Sequence, residues 1–383
     1  MKTVELTEEQ KKAHDSIIDW FKAAREKDAP GYISMGGYAG TGKTFTVGKI
    51  SGTLREESKN LRIAFCAYTG KAASVLASKV QDMGPDDYCG TIHSLIYQPI
   101  VQENIVLGWK RRDSIPADVL IVDEASMVSE EIADDLRRFK IPIVYVGDHG
   151  QLPPVNGNFS LMKSPNLKLE KIHRQAESSP IIQLSIRARK EGRIPFGSFG
   201  EGVAKISYVK LVDTVLSSYK PDRLYLCGYN ATRVFLNKIV RGAMNITTEK
   251  PIKGDRVICL RNNRGLGIYN GMTGALSEYK NHDKETYMAT IKLDDRPNDF
   301  TGRISRFQFG QKQTPQNWST QKLGDLFDWA YAMTVHKSQG SEARDVVFIE
   351  ERLPEVDDNF HARFLYTAVT RAKETLLIIG RQK

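Results

Sequence analysis

The sequence predicts an α/β chain of two parallel-sheet domains, each carrying a small β insertion. Three patterns predict it. In the first half, short apolar runs alternate with helical stretches, as in a parallel sheet covered by helices. Toward the C-terminus a second set of the same kind follows. Within that second set, residues of about 247–326 turn β-rich and are broken by Gly-rich or charged turns.

Taken in order, strands are expected at 32–36, 62–68, 119–123 and 143–147, with helices at 43–55, 71–80 and 129–139. Ser129 precedes two acidic residues, which suit a helix N-terminus. The second set comprises strand 224–228, helix 231–244, strand 346–350, helix 360–372 and strand 376–379. Inside the β-rich region, 256–260, 287–293 and 303–309 read as strands. A shorter insertion at 95–116 holds I-V-Q-E-N-I-V-L, a hairpin candidate turning near Glu103 and Asn104.

The 383 residues suit two or three domains. Apolar residues at 40% and charged residues at 26% exclude a disordered chain, a collagen-like fibre and a coiled coil. No apolar run approaches the roughly 20 residues of a membrane-spanning helix. The N-terminus is charged where a signal peptide carries its apolar core. An intracellular protein with no membrane partner is therefore expected. Lys and Arg number 55 against 46 Asp and Glu, a net charge of +9. That balance favours a polyanionic partner without naming one, because a merely basic enzyme carries the same charge. Cys66, Cys89, Cys227 and Cys259 lie far apart with no C-x-x-C pair, which fits reduced thiols better than a disulfide framework or a metal site.

The strongest chemical signal is Gly37-Tyr38-Ala39-Gly40-Thr41-Gly42-Lys43-Thr44, a full G-x-x-x-x-G-K-[ST] directly after a strand and opening a helix. Gly37, Gly40 and Gly42 let backbone N–H groups curl around a phosphate, with Thr41 in the same cradle, and the helix N-terminus adds its positive end. Lys43 would reach the β- and γ-phosphates, and the Thr44 hydroxyl would ligate Mg²⁺. Asp123 and Glu124 follow the apolar run 119–122, at the carboxyl end of a buried strand. Asp123 would hold Mg²⁺ through water, and Glu124 would orient and deprotonate the attacking water.

With these residues in hand, the ordered series of motifs resembles superfamily 1 helicases of the RecD-like and phage Dda-like branch over nearly the whole chain. Leu6-Thr7-x-x-Gln10 is similar to the segment whose glutamine reads adenine, although the same residues read as a capping box with Thr7 as cap. Residues 66–73 (C-A-Y-T-G-K-A-A) and 90–94 (G-T-I-H-S) resemble its first DNA-contact motifs, which implies DNA roles for Thr69, Lys71 and His93. Residues 146–155 (V-G-D-H-G-Q-L-P-P-V) resemble the motif whose glutamine, here Gln151, senses the γ-phosphate. His173-Arg174-Gln175 places Arg174 where the family contacts that phosphate. Residues 334–342 (T-V-H-K-S-Q-G-S-E) and 366–373 (Y-T-A-V-T-R-A-K) resemble the last two motifs. They imply DNA contacts from Thr334, His336 and Lys337, nucleotide contacts from Gly340 and Glu342, and Arg371 as arginine finger. Tyr38 and Tyr68 each replace a usual proline, and Ala343 stands where an aromatic residue often follows the glutamate.

The resemblance implies two RecA-like P-loop motor domains, at 1–94 with 117–178 and at 179–246 with 327–383. The hairpin at 95–116 would be a pin, and 247–326 a small SH3-like β-barrel. ATP and Mg²⁺ would be bound between the motor domains, powering 5′→3′ movement on single-stranded DNA and unwinding of duplex DNA. The implied partners are single-stranded and forked DNA, with replication or recombination proteins beside them. The implied working form is a monomer, phage-encoded and acting in a host cytoplasm. Tyr97, Trp109, Trp329 and Tyr331 are the aromatic candidates for stacking on bases, and Trp109 on the pin reads equally as a packing residue. A translocase that strips proteins without unwinding, or a nucleotide-gated binding module, are the competing readings.

Overall fold

The computed structural model describes residues 5–26, 31–80, 83–102, 105–154, 159–173, 178–220, 222–294, 298–315, 323–354 and 356–381. The chain forms two compact units, Met1–Ile182 and Gln183–Lys383.

The first unit contains β1 (Tyr32–Gly37), β2 (Ile63–Ala67), β3 (Tyr88–Thr91), β4 (Tyr97–Gln102), β5 (Ile105–Arg111), β6 (Val119–Asp123), β7 (Ile143–Gly147) and β8 (Leu167–Leu169). Six of these strands make one sheet in the order β3-β2-β6-β7-β1-β8, every pair parallel. Its central strands β2, β6 and β7 read as nearly unbroken apolar runs because both faces are covered. Alternate residues divide between two cores. Ile63, Phe65, Val119, Ile121, Val144 and Val146 face one side. There they meet Ile17 and Phe21 of α1 (Glu8–Glu26) and Val47, Ile50 and Leu54 of α2 (Lys43–Glu57). Ala64, Cys66, Leu120, Val122, Ile143 and Tyr145 face the other, against Ile132 and Leu136 of the helix Glu130–Arg137. The expected cap is present, since Ser129 Oγ accepts from Ile132 N at 3.5 Å.

β4 and β5 pair antiparallel as a two-stranded ribbon, with Pro99 opposite Trp109 and a register shift between Ile100 and Val101. Its base is fixed to the domain: Tyr97 donates through its hydroxyl to Asp135 Oδ2 at 2.6 Å, and Arg111 lies 5.5 Å over the Phe139 ring.

The second unit contains β9 (Gly197–Gly200), β10 (Val203–Ser207), β11 (Leu224–Cys227), β12 (Arg256–Cys259), β13 (Thr273–Asn281), β14 (Thr286–Leu293), β15 (Phe300–Ser305), β16 (Phe327–Trp329), β17 (Ala332–Thr334), β18 (Ala343–Ile349) and β19 (Ala372–Gly380). One sheet runs β17-β11-β18-β19-β10-β9, parallel except at β9. The other runs β15-β14-β13-β12-β16 and is antiparallel throughout. Ser305 N donates to Asp325 O at 2.9 Å and Asp325 N to Arg303 O at 2.7 Å, so β15 also joins the segment leading into β16 and the sheet closes on itself. One core is continuous through both sheets, from Val257, Ile291 and Phe327 to Tyr225, Leu236 and Val347.

Several boundaries differ from the sequence expectation for physical reasons. The expected strand at 303–309 is β15 at Phe300–Ser305, and the following residues turn through Gly310 at φ 74°. The last helix is Asp358–Val369, capped by Asp357, and β19 starts at Ala372 rather than 376. Its polar opening, with exposed Lys373 and Glu374, concealed a strand that pairs with β18 from Ala343 onward. Trp329 and Tyr331, read as possible base platforms, are both buried in the core shared by the two sheets and are packing residues. Among the described residues no helix is long and apolar enough to cross a membrane. All four cysteines are free.

The second unit is pinned by a buried ion pair. The Arg241 guanidinium donates to both Asp255 oxygens at 3.1 Å and to the carbonyls of Thr248 and Lys250 at 2.7 and 2.8 Å. It also lies 4.2 Å over the Trp329 ring, and the Tyr331 hydroxyl donates to Asp255 at 2.8 Å. Removing one member leaves a buried charge uncompensated, at a cost of about 3–5 kcal/mol. Arg241→Ala should therefore lose that much stability in denaturant unfolding. A loss below about 1 kcal/mol, the level of an exposed pair, would show that the carboxylate is solvated after all.

Candidate functional site

The glycine-rich loop occupies the turn from β1 to α2. Gly40 and Gly42 have φ of 81° and 77°, the left-handed region where a Cβ is strained. A Cβ on Gly42 would also strike the Gln10 amide and lie 2.7 Å from His173 Nε2. No side chain caps α2, so its first-turn N–H groups are left for an anion. Lys43 Nζ donates to Gly37 O at 2.8 Å and Tyr38 O at 3.0 Å, and Thr41 Oγ1 donates to Tyr38 O at 2.8 Å. The ammonium is thus held at the mouth of its own loop, and Thr44 stands in the helix's first turn beside it.

β6, β7 and β1 are neighbours and parallel, so their carboxyl ends emerge on one edge. This brings three motifs to the same rim. Asp123 ends β6, and its Oδ1 accepts from Glu124 N at 2.8 Å. Burial pushes the Asp123 carboxyl above the usual carboxylate range, while the Glu124 N–H and the Lys43 ammonium pull against that rise. Glu124 sits at φ 52°, ψ 37°, a left-handed conformation that costs a non-glycine residue roughly 1–3 kcal/mol and clusters at functional positions. After β7, Asp148 accepts from Gly150 N at 2.9 Å and from Gln151 Nε2 at 3.4 Å, which holds Gln151 buried.

Gln10 performs the capping role that its sequence allowed. Its Oε1 accepts from Thr7 N at 3.0 Å, and its own N–H reaches Thr7 Oγ1 at 3.4 Å. Its Nε2 donates to Thr41 O at 3.0 Å and approaches His173 Nε2 at 2.7 Å, while His173 N donates to Gly40 O at 3.1 Å. The glutamine, 1% exposed, braces the phosphate loop from behind. Sequence reasoning assigned nothing to His173 or His149. The first completes this brace. The second lies with its ring 4.0 Å from that of Tyr38, against the loop, and burial holds its imidazole below the usual histidine range. Neither had a signal beyond its place inside a motif string.

The remaining expected residues are placed as follows. Thr69 caps the helix Gly70–Lys79 by accepting from Ala72 N at 3.2 Å, and Lys71 belongs to that helix. The His93 ring lies 5.7 Å from Tyr68 and 5.9 Å from Tyr97. Arg174 falls outside the described residues, and Trp109 is placed by its backbone in β5. In the second unit, Thr334 ends β17, and His336 and Lys337 form the following 3-10 turn. Burial lowers the His336 imidazole, and burial then Arg233 push the Lys337 amine down to about 8. Gly340 turns at φ 70°, and Glu342 pairs with Lys373 at 3.2 Å. Arg371, 4% exposed, donates to the carbonyls of Thr367, Ser338 and Ser341 and to Thr370 Oγ1, at 3.0–3.4 Å. It folds onto the 338–341 turn of the neighbouring motif.

Residues 5–204 match the AAA domain family, and residues 329–379 match the UvrD-like helicase C-terminal domain. The chain is 26% identical over 406 residues to the ATP-dependent RecD2 DNA helicase of Deinococcus radiodurans, covering 98% of this chain and 49% of that protein. It is 26% identical over 422 residues to the RecBCD enzyme subunit RecD of Mycobacterium tuberculosis, covering 94% of this chain and 68% of that one. The chain thus spans about half the length of the first relative. Among solved structures it resembles the Bacteroides Pif1 helicase in complex with ADP-AlF3 and ssDNA, with a TM-score of 0.55 and 19% identity over 98% of this chain and 92% of that one. The Candida albicans Pif1 helicase gives 0.50 and 19% over 98% and 94%. These structures share the α/β fold with its parallel-sheet, RecA-like core. With an AAA domain across more than half its length, a UvrD-like helicase C-terminal domain after it and relatives of the RecD type along nearly all of it, the chain belongs to the superfamily 1 helicases of the RecD-like kind.

Proposed function

We propose that this chain is an ATP-dependent DNA helicase that moves on single-stranded DNA and separates the duplex ahead of it. The observation that carries the reading is the meeting of the phosphate loop, Asp123–Glu124 and Gln151 on one rim of the first sheet. Names and contents of the relatives support it: a RecD2 DNA helicase by sequence, and a Pif1 helicase with ADP-AlF3 and ssDNA by fold.

In this reading the α2 N-terminus and Lys43 bind the ATP phosphates, with Lys43 exchanging its loop carbonyls for phosphate oxygens. Mg²⁺ fits the donors present, a hydroxyl at Thr44 and a carboxylate at Asp123, both hard oxygen ligands. Among the described residues no group of three His, Cys, Asp or Glu could hold a metal, so a cation here would lean on phosphate and water, as Mg²⁺ commonly does. Bound there, Mg²⁺ would neutralise charge developing on the phosphates. Glu124 takes the proton of the attacking water, and Gln151 aligns that water with the γ-phosphate. Arg371 supplies the arginine finger after releasing its carbonyls, with Arg174 as a second γ-phosphate contact. Gly340 and Glu342 add nucleotide contacts. Thr69, Lys71, His93, Thr334, His336 and Lys337 track the DNA. The β4–β5 ribbon serves as the pin, with Trp109 at the junction, and the closed antiparallel sheet as an SH3-like module. Movement is 5′→3′, as in the RecD-like branch that the motifs resemble.

Forked duplexes with a 5′ or a 3′ tail test the reading directly. ATP-dependent strand separation of the 5′-tailed fork is expected. ATP turnover that single-stranded DNA does not raise would overturn it.

Three substitutions probe the chemistry. Glu124→Gln keeps the shape but cannot accept a proton, so Mg-ATP should bind normally while turnover falls by about 10²-fold or more. Unchanged turnover would place the base elsewhere. Gln10→Ala separates bracing from adenine reading: loss of the brace should weaken ATP and GTP binding alike, whereas a loss confined to ATP would assign Gln10 the adenine role that its motif implies. Arg371→Ala should lower turnover by roughly 10³-fold with ATP affinity largely kept. If affinity, turnover and thermal stability fall together, its bonds to the 338–341 turn are its main role.

A further inference from the structure

Within the second unit, the loop after β15, the turn after β17 and the helix Asn230–Ala243 border an open basic cavity of about 640 Å³. Asn230, Arg233, Lys312, Thr314 and Lys337 line it. A smaller cavity of about 350 Å³ shares the walls Gln313 and Pro315 and continues to Phe307, Gln308 and Gln311. Among these walls only Lys337 belongs to a motif string; residues 307–315 belong to the antiparallel module.

The loop is held in place by one buried carboxylate. Asp328 Oδ1 accepts from Gly310 N and Trp329 N, both at 2.8 Å, and its Oδ2 pairs with Arg233. The Arg233 guanidinium then donates to Gln311 O at 2.6 Å and to Asn230 Oδ1 at 3.2 Å. Gly310 turns at φ 74°, and a Cβ there would lie 2.9 Å from the Trp329 ring. Arg233 is therefore committed to fixing the loop, and its charge is matched by Asp328. Lys312 and Lys337 are left as the unmatched cations of the cavity: neither has an ion-pair partner among the described residues. The ring of Phe307 stands 58% exposed at the other end of the same loop. A lone exposed aromatic needs no explanation. One placed on a fixed loop, beside amide side chains and a cationic cavity, has the two elements that single-strand binding combines.

We infer that residues 307–315 and Lys337 form a subsite for single-stranded DNA, with a phosphodiester held by Lys312 and Lys337 and a base stacked on Phe307. The subsite rests on the DNA-motor reading and extends it to the inserted module. Burial and then Arg233 lower the Lys337 amine to about 8. A phosphate arriving beside it supplies the negative charge that the cavity lacks.

Equilibrium binding of oligo-dT and of an abasic strand of equal length separates the two contacts. Phe307→Ala should weaken oligo-dT at least about fivefold and leave the abasic strand unchanged. Lys312→Ala should weaken both, and reduce the slope of log affinity against log salt by about 0.7, the contribution of one phosphate on a single strand. Both side chains are exposed, and circular dichroism melts check that the variants stay folded. Wild-type affinities and slopes in both variants would overturn the subsite while wild-type DNA-stimulated ATP turnover keeps the motor reading. Equal loss on both strands in Phe307→Ala would overturn base stacking. A wild-type chain that neither binds oligo-dT nor responds to it would overturn the motor reading itself.

Discussion

Burying both faces of the β6–β7–β1 trio is the constraint on which the first unit depends. A parallel sheet must be covered on each side, so its strands are mostly apolar and their side chains alternate between two separate cores. Apart from Ser34, whose hydroxyl is satisfied by Asn166, that leaves polar chemistry to where the chain leaves the sheet. Parallel pairing then brings all three exits to one rim. Gly37 to Lys43, Asp123 with Glu124, and Asp148 to Gln151 come together for this reason, although 80 residues separate Lys43 from Asp123. Once the rim is set, local strain can be held there: left-handed Glu124 and the positive-φ glycines of the loop are kept by the packed strands beneath them.

This explains what could be read from the sequence. Strands such as Val119–Asp123 and Ile143–Gly147 were legible because burial on both faces leaves an unbroken apolar run. β3, Tyr88–Thr91, is a half-buried edge strand containing a glycine, and so carried no such run. β13 was missed because burial along Thr273–Asn281 fades into a charged, exposed second half. The phosphate loop was legible because its residue types have one conformational solution. The brace behind it was not, because Thr41 and His173 lie 31 and 163 residues from Gln10 and no local pattern links the three. Thr7 and Gln10 could be read as a capping box, and that reading proved compatible with a second duty for the same amide.

The second unit shows a different use of charge. Among the described residues three arginines are buried in it, and burying a guanidinium is unfavourable unless it is paired and hydrogen-bonded. Arg233 and Arg241 obey this with Asp328 and Asp255, and both serve the architecture. Arg371 is the exception. Its hydrogen-bond partners among the described residues are three carbonyls and a hydroxyl, all neutral. Lys337 is similar, since Asp328, the acid acting on it, is already paired with Arg233. A fold selected for stability alone gains from matching such cations or replacing them with apolar groups. Both unmatched cations instead sit in the strings 334–342 and 366–373, joined by the Arg371 bonds to Ser338 and Ser341. In the proposed reading their positive charge is available to phosphate, from a nucleotide for Arg371 and a DNA strand for Lys337. Because the Arg371 bonds tie this side chain to the turn beside Lys337, a shift of the guanidinium toward a phosphate must loosen that turn. This gives the proposed ATP cycle a physical route to the residues proposed to grip DNA.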